Sequence, residues 1–273
     1  MSTQASTLDI DSRYPLTSDQ TQFFRKNGFV KLKNALSADV ISHYGPVITQ
    51  KVIDLNTMHI PLEKRSTYDK AFLQIQNIWE KDETVRQFVF GERLARCAAE
   101  LMGCRGVRMY HDQALYKEPS GGHTPWHADQ YYWPLETEKS VTVWIPLQET
   151  PLNMGPLAFA SGSHTFTMGR DLAISDESEK MIQKAMQARN FTYVEEPFDL
   201  GEVSFHYGWT FHRAGPNTTP TPRRVMTIIY IDIDMRLAPP VNRNQQADWD
   251  RWCPGAEIGE IINSPINPVM FER

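Results

Sequence analysis

The sequence predicts a mainly β domain with flanking helices, built on a double-stranded β-helix of the jelly-roll, cupin-like kind. Three observations point there. Short β-rich runs crowd the stretch from Gly106 to Ile233, separated by Gly, Pro and Asn clusters. Helical patterns come before that stretch. Inside it stands a His-x-Asp motif, with a further histidine far downstream. Many short strands in one half of a chain mean a sandwich or a barrel. Strand number alone does not separate a jelly roll from other β-barrels; the metal motif makes that choice.

The elements follow in order. Residues 1–15 are polar and expected to be loose. Thr17 opens a helix, with Gln20 placed for a capping box and Gly28 for the stop. Phe29 to Lys33 reads as a short strand, and Ser37 opens a second helix. Residues 83–102 read as a third helix, with Leu94, Ala98, Leu101 and Met102 on one stripe and Gly103 after it. The expected strands are Val107–Tyr116, Val141–Leu147, Leu157–Phe159, Val203–His206 and Val225–Ile233. The stretch 165–195 is polar, then helical around Met181–Ala188, and reads as a lid or a long insertion. One domain is expected over 1–273, with a mostly helical flank at 16–104, the jelly-roll core at 105–235 and a C-terminal extension at 236–273.

Composition narrows the function classes. Of 273 residues, 41 % are hydrophobic and 22 % charged, which suffices for a core without disulfides or other staples. The net charge is -5 and the basic residues are scattered, so no nucleic-acid groove is indicated. A small-molecule substrate is the better expectation, with oligomeric state left open. Cys97, Cys104 and Cys253 fit neither a zinc ribbon nor a disulfide framework. Cys97 lies on the apolar stripe of its helix and reads as core, in keeping with a reducing compartment. The first residues lack the basic and apolar regions of a signal peptide, and no apolar run reaches the ~20 residues of a membrane span. A cytoplasmic location is expected.

The chemistry centres on Thr124-Pro125-Trp126-His127-Ala128-Asp129. On an extended chain, residues i and i+2 face the same side, so His127 and Asp129 present an imidazole and a carboxylate to one point. His212 is the best third ligand. Two His and one carboxylate leave the opposite positions open, as in the non-haem iron(II) facial triad. Those positions can take a bidentate 2-oxo acid and then dioxygen. Alone, His-x-Asp is more often a pair of surface residues. Arg223 stands downstream where the chain enters its next strand. Facing inward, it could grip a carboxylate with two parallel hydrogen bonds; facing outward, it belongs to a basic turn with Arg224. Alternation turns one of the two away.

The chain resembles the phytanoyl-CoA dioxygenase family of iron(II)- and 2-oxoglutarate-dependent oxygenases. The resemblance rests on motifs in order. They are Leu16-Thr17-Ser18-Asp19-Gln20 through Phe24, Asn27-Gly28-Phe29-Val30, Lys117-Glu118-Pro119 and Trp126-His127-Ala128-Asp129. Gly155-Pro156-Leu157 through Ser161-Gly162-Ser163-His164, and Gly201-Glu202-Val203 through His212, Pro216-Asn217 and Arg223, complete the set. The resemblance implies His127, Asp129 and His212 as iron ligands and Arg223 on the distal carboxylate of 2-oxoglutarate. It implies iron(II), 2-oxoglutarate and dioxygen as cofactor and cosubstrates, with release of succinate and carbon dioxide. Some relatives carry a hydroxyl two positions after the last His, where this chain has Ala214. That contact is missing or supplied elsewhere. The C-terminal residues are not a peroxisomal address, so the resemblance is to the family and not to the phytanoyl-CoA enzyme itself. Halogenating relatives lack the carboxylate that Asp129 supplies, so hydroxylation or another oxidation is favoured.

Other residues are weighed with two readings each. Thr142 and Trp144 share a strand face and line either the 2-oxoglutarate pocket or ordinary core. Gln113 is an amide donor to the cosubstrate or a structural hydrogen-bonder. Tyr131, Tyr132 and Trp133 follow the ligand motif; they form a wall for a mainly apolar substrate or pack beneath a loop. In a regular strand, Tyr132 and Trp133 cannot both face the metal. His164 and His206 read as structural. Two alternatives to an oxygenase remain: a non-catalytic binding jelly roll with a degenerate site, and a zinc hydrolase using the same triad.

Overall fold

The computed structural model of the chain describes residues 8–273. Helix α1 (Ser18–Asn27) is closed at its start by the Thr17–Gln20 capping box and at its end by Gly28, whose φ of 84° suits a residue without Cβ. Strand β1 (Phe29–Leu32) follows, then α2 (Ala38–Leu55), capped by Ser37. A short α3 (Thr67–Ala71) leads into β2 (Leu73–Gln76). Helices α4 (Glu83–Val89) and α5 (Glu92–Met102) come next.

The strand-rich half holds β3 (Gly106–Tyr116), β4 (Thr124–His127), β5 (Ser140–Pro146) and β6 (Leu157–Ala160). Helix α6 (Asp176–Arg189) interrupts it before β7 (Tyr193–Glu195), β8 (Val203–Tyr207), β9 (His212–Ala214) and β10 (Val225–Asp232). Helix α7 (Arg243–Trp252) and β11 (Val269–Glu272) close the chain.

Two antiparallel sheets result. The larger has the order β1-β8-β5-β10-β3-β11, with β2 also paired to β3, and the smaller runs β4-β9-β6-β7. Strand β10 explains the layering. All of it is buried, because both faces are covered. Met226, Ile228 and Tyr230 meet the helices α2, α4 and α5 in one apolar cluster. The alternate residues Val225, Thr227 and Ile229 face the other way, towards the smaller sheet. The fold is thus the jelly-roll sandwich with flanking helices expected from the sequence.

Several local expectations need correction. The helix expected over 83–102 is two helices, broken at Phe90-Gly91. The break exists because residues 9–12 dock there. The Arg93 amide donates to Ile10 O at 3.0 Å, and the Glu92 amide to Asp11 Oδ1 at 2.9 Å. Residues 8–15 are therefore tied down rather than loose; residues 1–7 of that expectation lie outside the described residues. The mostly helical stretch 16–104 also supplies β1, at the strand expected from Phe29, and β2 to the larger sheet. The extension 236–273 likewise contributes β11 to that sheet and α7 to the site described below. The 165–195 stretch packs its helix, through Ile182 and Met186, on Trp126, Ala128 and Phe211 behind the smaller sheet. All three cysteines are unpaired and buried, Cys97 within the helix-facing core. Among the described residues, no helix is long and apolar enough to cross a membrane.

Arg93 is the clamp for the N-terminal stretch. Its Nε donates to Ser12 O at 2.8 Å and its Nη1 to Ala35 O at 3.0 Å, and it pairs with Asp9. Arg93→Ala should lower unfolding free energy by about 1–3 kcal/mol. Urea denaturation measures this, and a loss under ~0.5 kcal/mol would mean that the docking contributes nothing to stability.

Candidate metal centre

Antiparallel pairing of β4 with β9 sets His127 directly opposite His212. Opposed residues share one sheet face, and the two imidazole centroids lie 4.1 Å apart. Each ring is oriented by its own backbone. The Nδ1–H of His127 donates to Pro125 O at 2.7 Å, and that of His212 to Thr210 O at 2.9 Å. With Nδ1 carrying the proton, each Nε2 keeps its lone pair for a metal. Ala128 is still extended, so Asp129 comes back to the side of His127. Asp129 Oδ1 is 3.6 Å from His127 Nε2 and 3.5 Å from His212 Nε2. The ligand atoms of all three lie within 4.8 Å of one another.

The other carboxylate oxygen is already occupied. Thr142 Oγ1 donates to Asp129 Oδ2 at 2.9 Å, and His206 Nε2 donates to the same atom at 3.2 Å. These bonds aim Oδ1 at the histidine pair and fix the carboxylate rotamer. Burial opposes ionisation of Asp129, yet the imidazoles around it, His212 foremost, hold its carboxyl well below the ordinary carboxylate range. Burial, reinforced by His127, pushes His212 well below the usual imidazole range, towards the neutral form that binds metal. The donor set fits iron(II): two neutral imidazoles and one carboxylate on one side, with a cavity on the other.

That cavity has a volume of about 220 Å³, less than the ~300–1,000 Å³ of drug-sized sites. Register decides what faces it. Gln113, Thr227 and Trp144 lie in one cross-strand row of β3, β10 and β5, and all three line the wall. Arg223 shares the parity of Thr227 and lines the cavity too. Arg224 has the opposite parity and donates through Nε to Gln148 Oε1. The Arg223 side chain is fully buried. Its Nη1 donates to Gly155 O at 2.6 Å, its guanidinium lies 5.4 Å from the Trp144 ring, and its Nε has no hydrogen-bond partner. Among the described residues no carboxylate pairs with it. Burial lowers its pKa to about 9, so it stays cationic at neutral pH. Gly155 makes this contact possible: its φ is +71°, and a Cβ there would sit 2.3 Å from Gly215 O. Directly across from Ala214, in register, stands Thr124, whose hydroxyl is the nearest cross-strand substitute for the one missing at 214.

The other expected residues separate. Tyr132 and Trp133 both line the cavity, and Tyr131 does not. The strand expected to continue here is instead a 3-10 turn, Asp129–Tyr132. With three residues per turn, Tyr132 falls on the side of Asp129 and Tyr131 falls elsewhere. Tyr131 is instead tied to α7, its hydroxyl accepting from Asn244 Nδ2 at 3.2 Å and its carbonyl from Gln245 Nε2 at 3.2 Å. Gln113 Oε1 accepts from Gln74 Nε2 at 2.5 Å, which leaves the Gln113 amide N–H groups for the cavity. His164 bonds to Arg25 O and stacks on Tyr207, away from the centre. His206, read from sequence as structural, touches Asp129. Tyr68, Asp248 and Arg251 also reach the cavity wall, with no signal in the sequence, because the elements carrying them are brought there only by the fold.

Comparison with known proteins agrees with this geometry. The phytanoyl-CoA dioxygenase family matches residues 24–225. The chain belongs to that family. By class it is an iron(II)- and 2-oxoglutarate-dependent dioxygenase. A protein of Stutzerimonas stutzeri assigned as an alpha-ketoglutarate-dependent hypophosphite dioxygenase is 22 % identical over 80 % of this chain and 79 % of its own. The 1-deoxypentalenic acid 11-beta-hydroxylase of Streptomyces exfoliatus is 22 % identical, covering 94 % and 96 %. Among solved structures, the epimerase SnoN, with Fe3+, alpha ketoglutarate and nogalamycin RO, superposes with a TM-score of 0.77 at 21 % identity, covering 93 % of this chain and 98 % of that one. That likeness concerns the fold.

His206 and Thr142 both donate to Asp129 Oδ2. His206→Phe and Thr142→Val should each weaken iron(II) binding by roughly 10–100-fold, the usual effect of removing an outer hydrogen bond. Anaerobic iron titration reads this directly. Parent-like affinity in both variants would show that Oδ2 needs no support.

Proposed function

We propose that this enzyme oxidises an unactivated C–H bond of a small organic molecule, most simply by hydroxylation, with His127, Asp129 and His212 as the iron ligands. The observation that carries the reading is the buried Arg223 guanidinium, set without a carboxylate partner among the described residues in the wall of the cavity that the triad opens on. Iron(II) bound there, together with 2-oxoglutarate and dioxygen, supplies the oxidising chemistry that releases succinate and carbon dioxide.

The residues divide the work. Arg223 binds the distal carboxylate of 2-oxoglutarate through N–H groups that the protein leaves unpaired. The Thr124 hydroxyl adds the hydrogen bond that Ala214 cannot make. Trp144, beneath the guanidinium, forms the floor of this subsite, and Gln113 offers its amide N–H groups further out. Thr142 and His206 keep Asp129 in place. Because Asp129 is a carboxylate, all three protein ligands are present and no room is left for a halide, which favours hydroxylation over halogenation. Burial of His127, His212, Thr142, His206 and Arg223 limits the access of bulk water to the reacting centre. A zinc hydrolase would need the triad but not the buried guanidinium, and a degenerate binding domain would need neither ordered histidine. Three unpaired cysteines fit a reducing, cytoplasmic setting.

Succinate formation from 2-oxoglutarate, with and without candidate substrates, tests the reading. Arg223→Ala should raise the KM for 2-oxoglutarate by roughly 10–150-fold, the equivalent of about 1.5–3 kcal/mol for a charged hydrogen-bonded pair. Thr124→Val should raise it by roughly 3–10-fold, about one neutral hydrogen bond. Arg224→Ala should leave it within ~2-fold. Equal effects at 223 and 224 would contradict the assignment, and zinc-supported turnover without oxygen would replace it.

A further inference from the structure

The cavity has a second end, and that end is polar. Opposite Arg223 the wall is built by β2, β3 and α7, which place Gln76, Gln113, Asp248 and Arg251 around the opening. Asp248 and Arg251 are three residues apart on α7, a spacing at which helix side chains are neighbours and opposite charges commonly pair. Here they do not. Among the described residues neither makes a hydrogen bond or an ion pair within 4.0 Å; Arg251 instead lies over the Trp252 ring at 4.4 Å. Both line the cavity as separate side chains. Burial lifts the Asp248 carboxyl to about 7, with Arg251 pulling the other way, so an adjacent ammonium would hold it ionised.

The amides behave alike. Tyr68 Oη donates to Gln74 Oε1 at 2.7 Å, and Gln74 Nε2 donates to Gln113 Oε1. This chain consumes the Gln113 acceptor and leaves its N–H groups for whatever fills the cavity. The Gln76 amide makes no hydrogen bond among the described residues. A hydrocarbon placed here would strip water from the half-buried Gln76, Gln113 and Asp248 and return nothing, which is costly for each. The cavity wall also carries the apolar side chains of Phe72, Leu115, Trp133 and Ile174.

Building on the oxygenase reading, we infer that the substrate is a small free zwitterion of amino-acid type. Its carboxylate faces Arg251, its ammonium faces Asp248, and its carbon chain points inward towards the triad. The carbon oxidised is therefore remote from the charged head. The mainly apolar substrate expected from Tyr131-Tyr132-Trp133 is replaced by one with a polar head and a short apolar tail. The volume of about 220 Å³, shared with 2-oxoglutarate, keeps that tail short.

The test uses enzyme loaded with iron(II) and 2-oxoglutarate. Under nitrogen, calorimetry measures binding of the standard L-amino acids, their N-acetyl and carboxamide derivatives, and n-alcohols of equal length. Under air, succinate release is followed with the same probes. At least one free amino acid should bind and raise succinate release above the uncoupled rate. Masking either charge should weaken binding roughly 10-fold or more. Asp248→Asn should shrink the penalty for N-acetylation, and Arg251→Gln the penalty for the carboxamide. Asp250→Asn, on the solvent side of α7, should match the parent. Alcohols binding as well as amino acids would overturn the proposal. So would uncoupled succinate release that no amino acid stimulates, and in that case the oxygenase reading stands. Failure of iron binding and of uncoupled release would overturn both.

Discussion

The register of one short strand pair governs the whole site. Because β4 and β9 set His127 opposite His212, two imidazoles from distant parts of the chain meet on one face. A shift of one residue in either strand would turn its ring to the other face and separate the pair. The backbone carbonyls of Pro125 and Thr210 then decide which nitrogen of each ring points inward. Asp129 is drawn to the same point by an extended Ala128 and is anchored from behind by the larger sheet, through Thr142 and His206. The triad therefore needs both sheets: two ligands and the carboxylate backbone come from one, and the support for the carboxylate comes from the other.

Charge is distributed in the cavity to serve a ligand rather than the fold. Arg223 is fully buried with no carboxylate among the described residues to balance it, an arrangement that lowers stability when viewed alone. In the proposed function, a dicarboxylate that chelates the metal at one end and meets Arg223 at the other would supply the missing counter-charge. Its binding would then stabilise the folded state by mass action as well as position it for reaction. The neutral Gly155 carbonyl that Arg223 does contact orients the guanidinium without cancelling its charge. At the opposite end, Asp248 and Arg251 are kept apart although helix spacing would let them meet, and the same logic applies.

The parts of the site legible in the sequence are those governed by local periodicity. His127 and Asp129 are two apart on extended chain, and Arg223 and Arg224 are told apart by alternation once β10 is recognised. The helix caps at Thr17, Gly28 and Ser37 are equally local. What could not be read depends on long-range placement. His206 carries no mark that distinguishes it from a core histidine, because its neighbour Asp129 is 77 positions away. The polar rim comes from α7, whose sequence is that of an ordinary surface helix. The break at Gly91 is accompanied by residues 9–12 folding back onto it, a long-range contact, and the misplacement of Tyr131 arises because the chain turns directly after the ligand motif. Family resemblance supplied the cosubstrate, which no spacing argument could have named.

A crystal structure of the anaerobic complex with iron(II) and 2-oxoglutarate tests the central claim most directly. The expected result is one iron bound by His127 Nε2, His212 Nε2 and Asp129 Oδ1, chelated by the 2-oxo acid, with the distal carboxylate on Arg223 and a hydrogen bond from Thr124. An ion that recruits His206 as a fourth protein ligand, closing the site, would contradict it, as would a 2-oxoglutarate carboxylate bound away from Arg223.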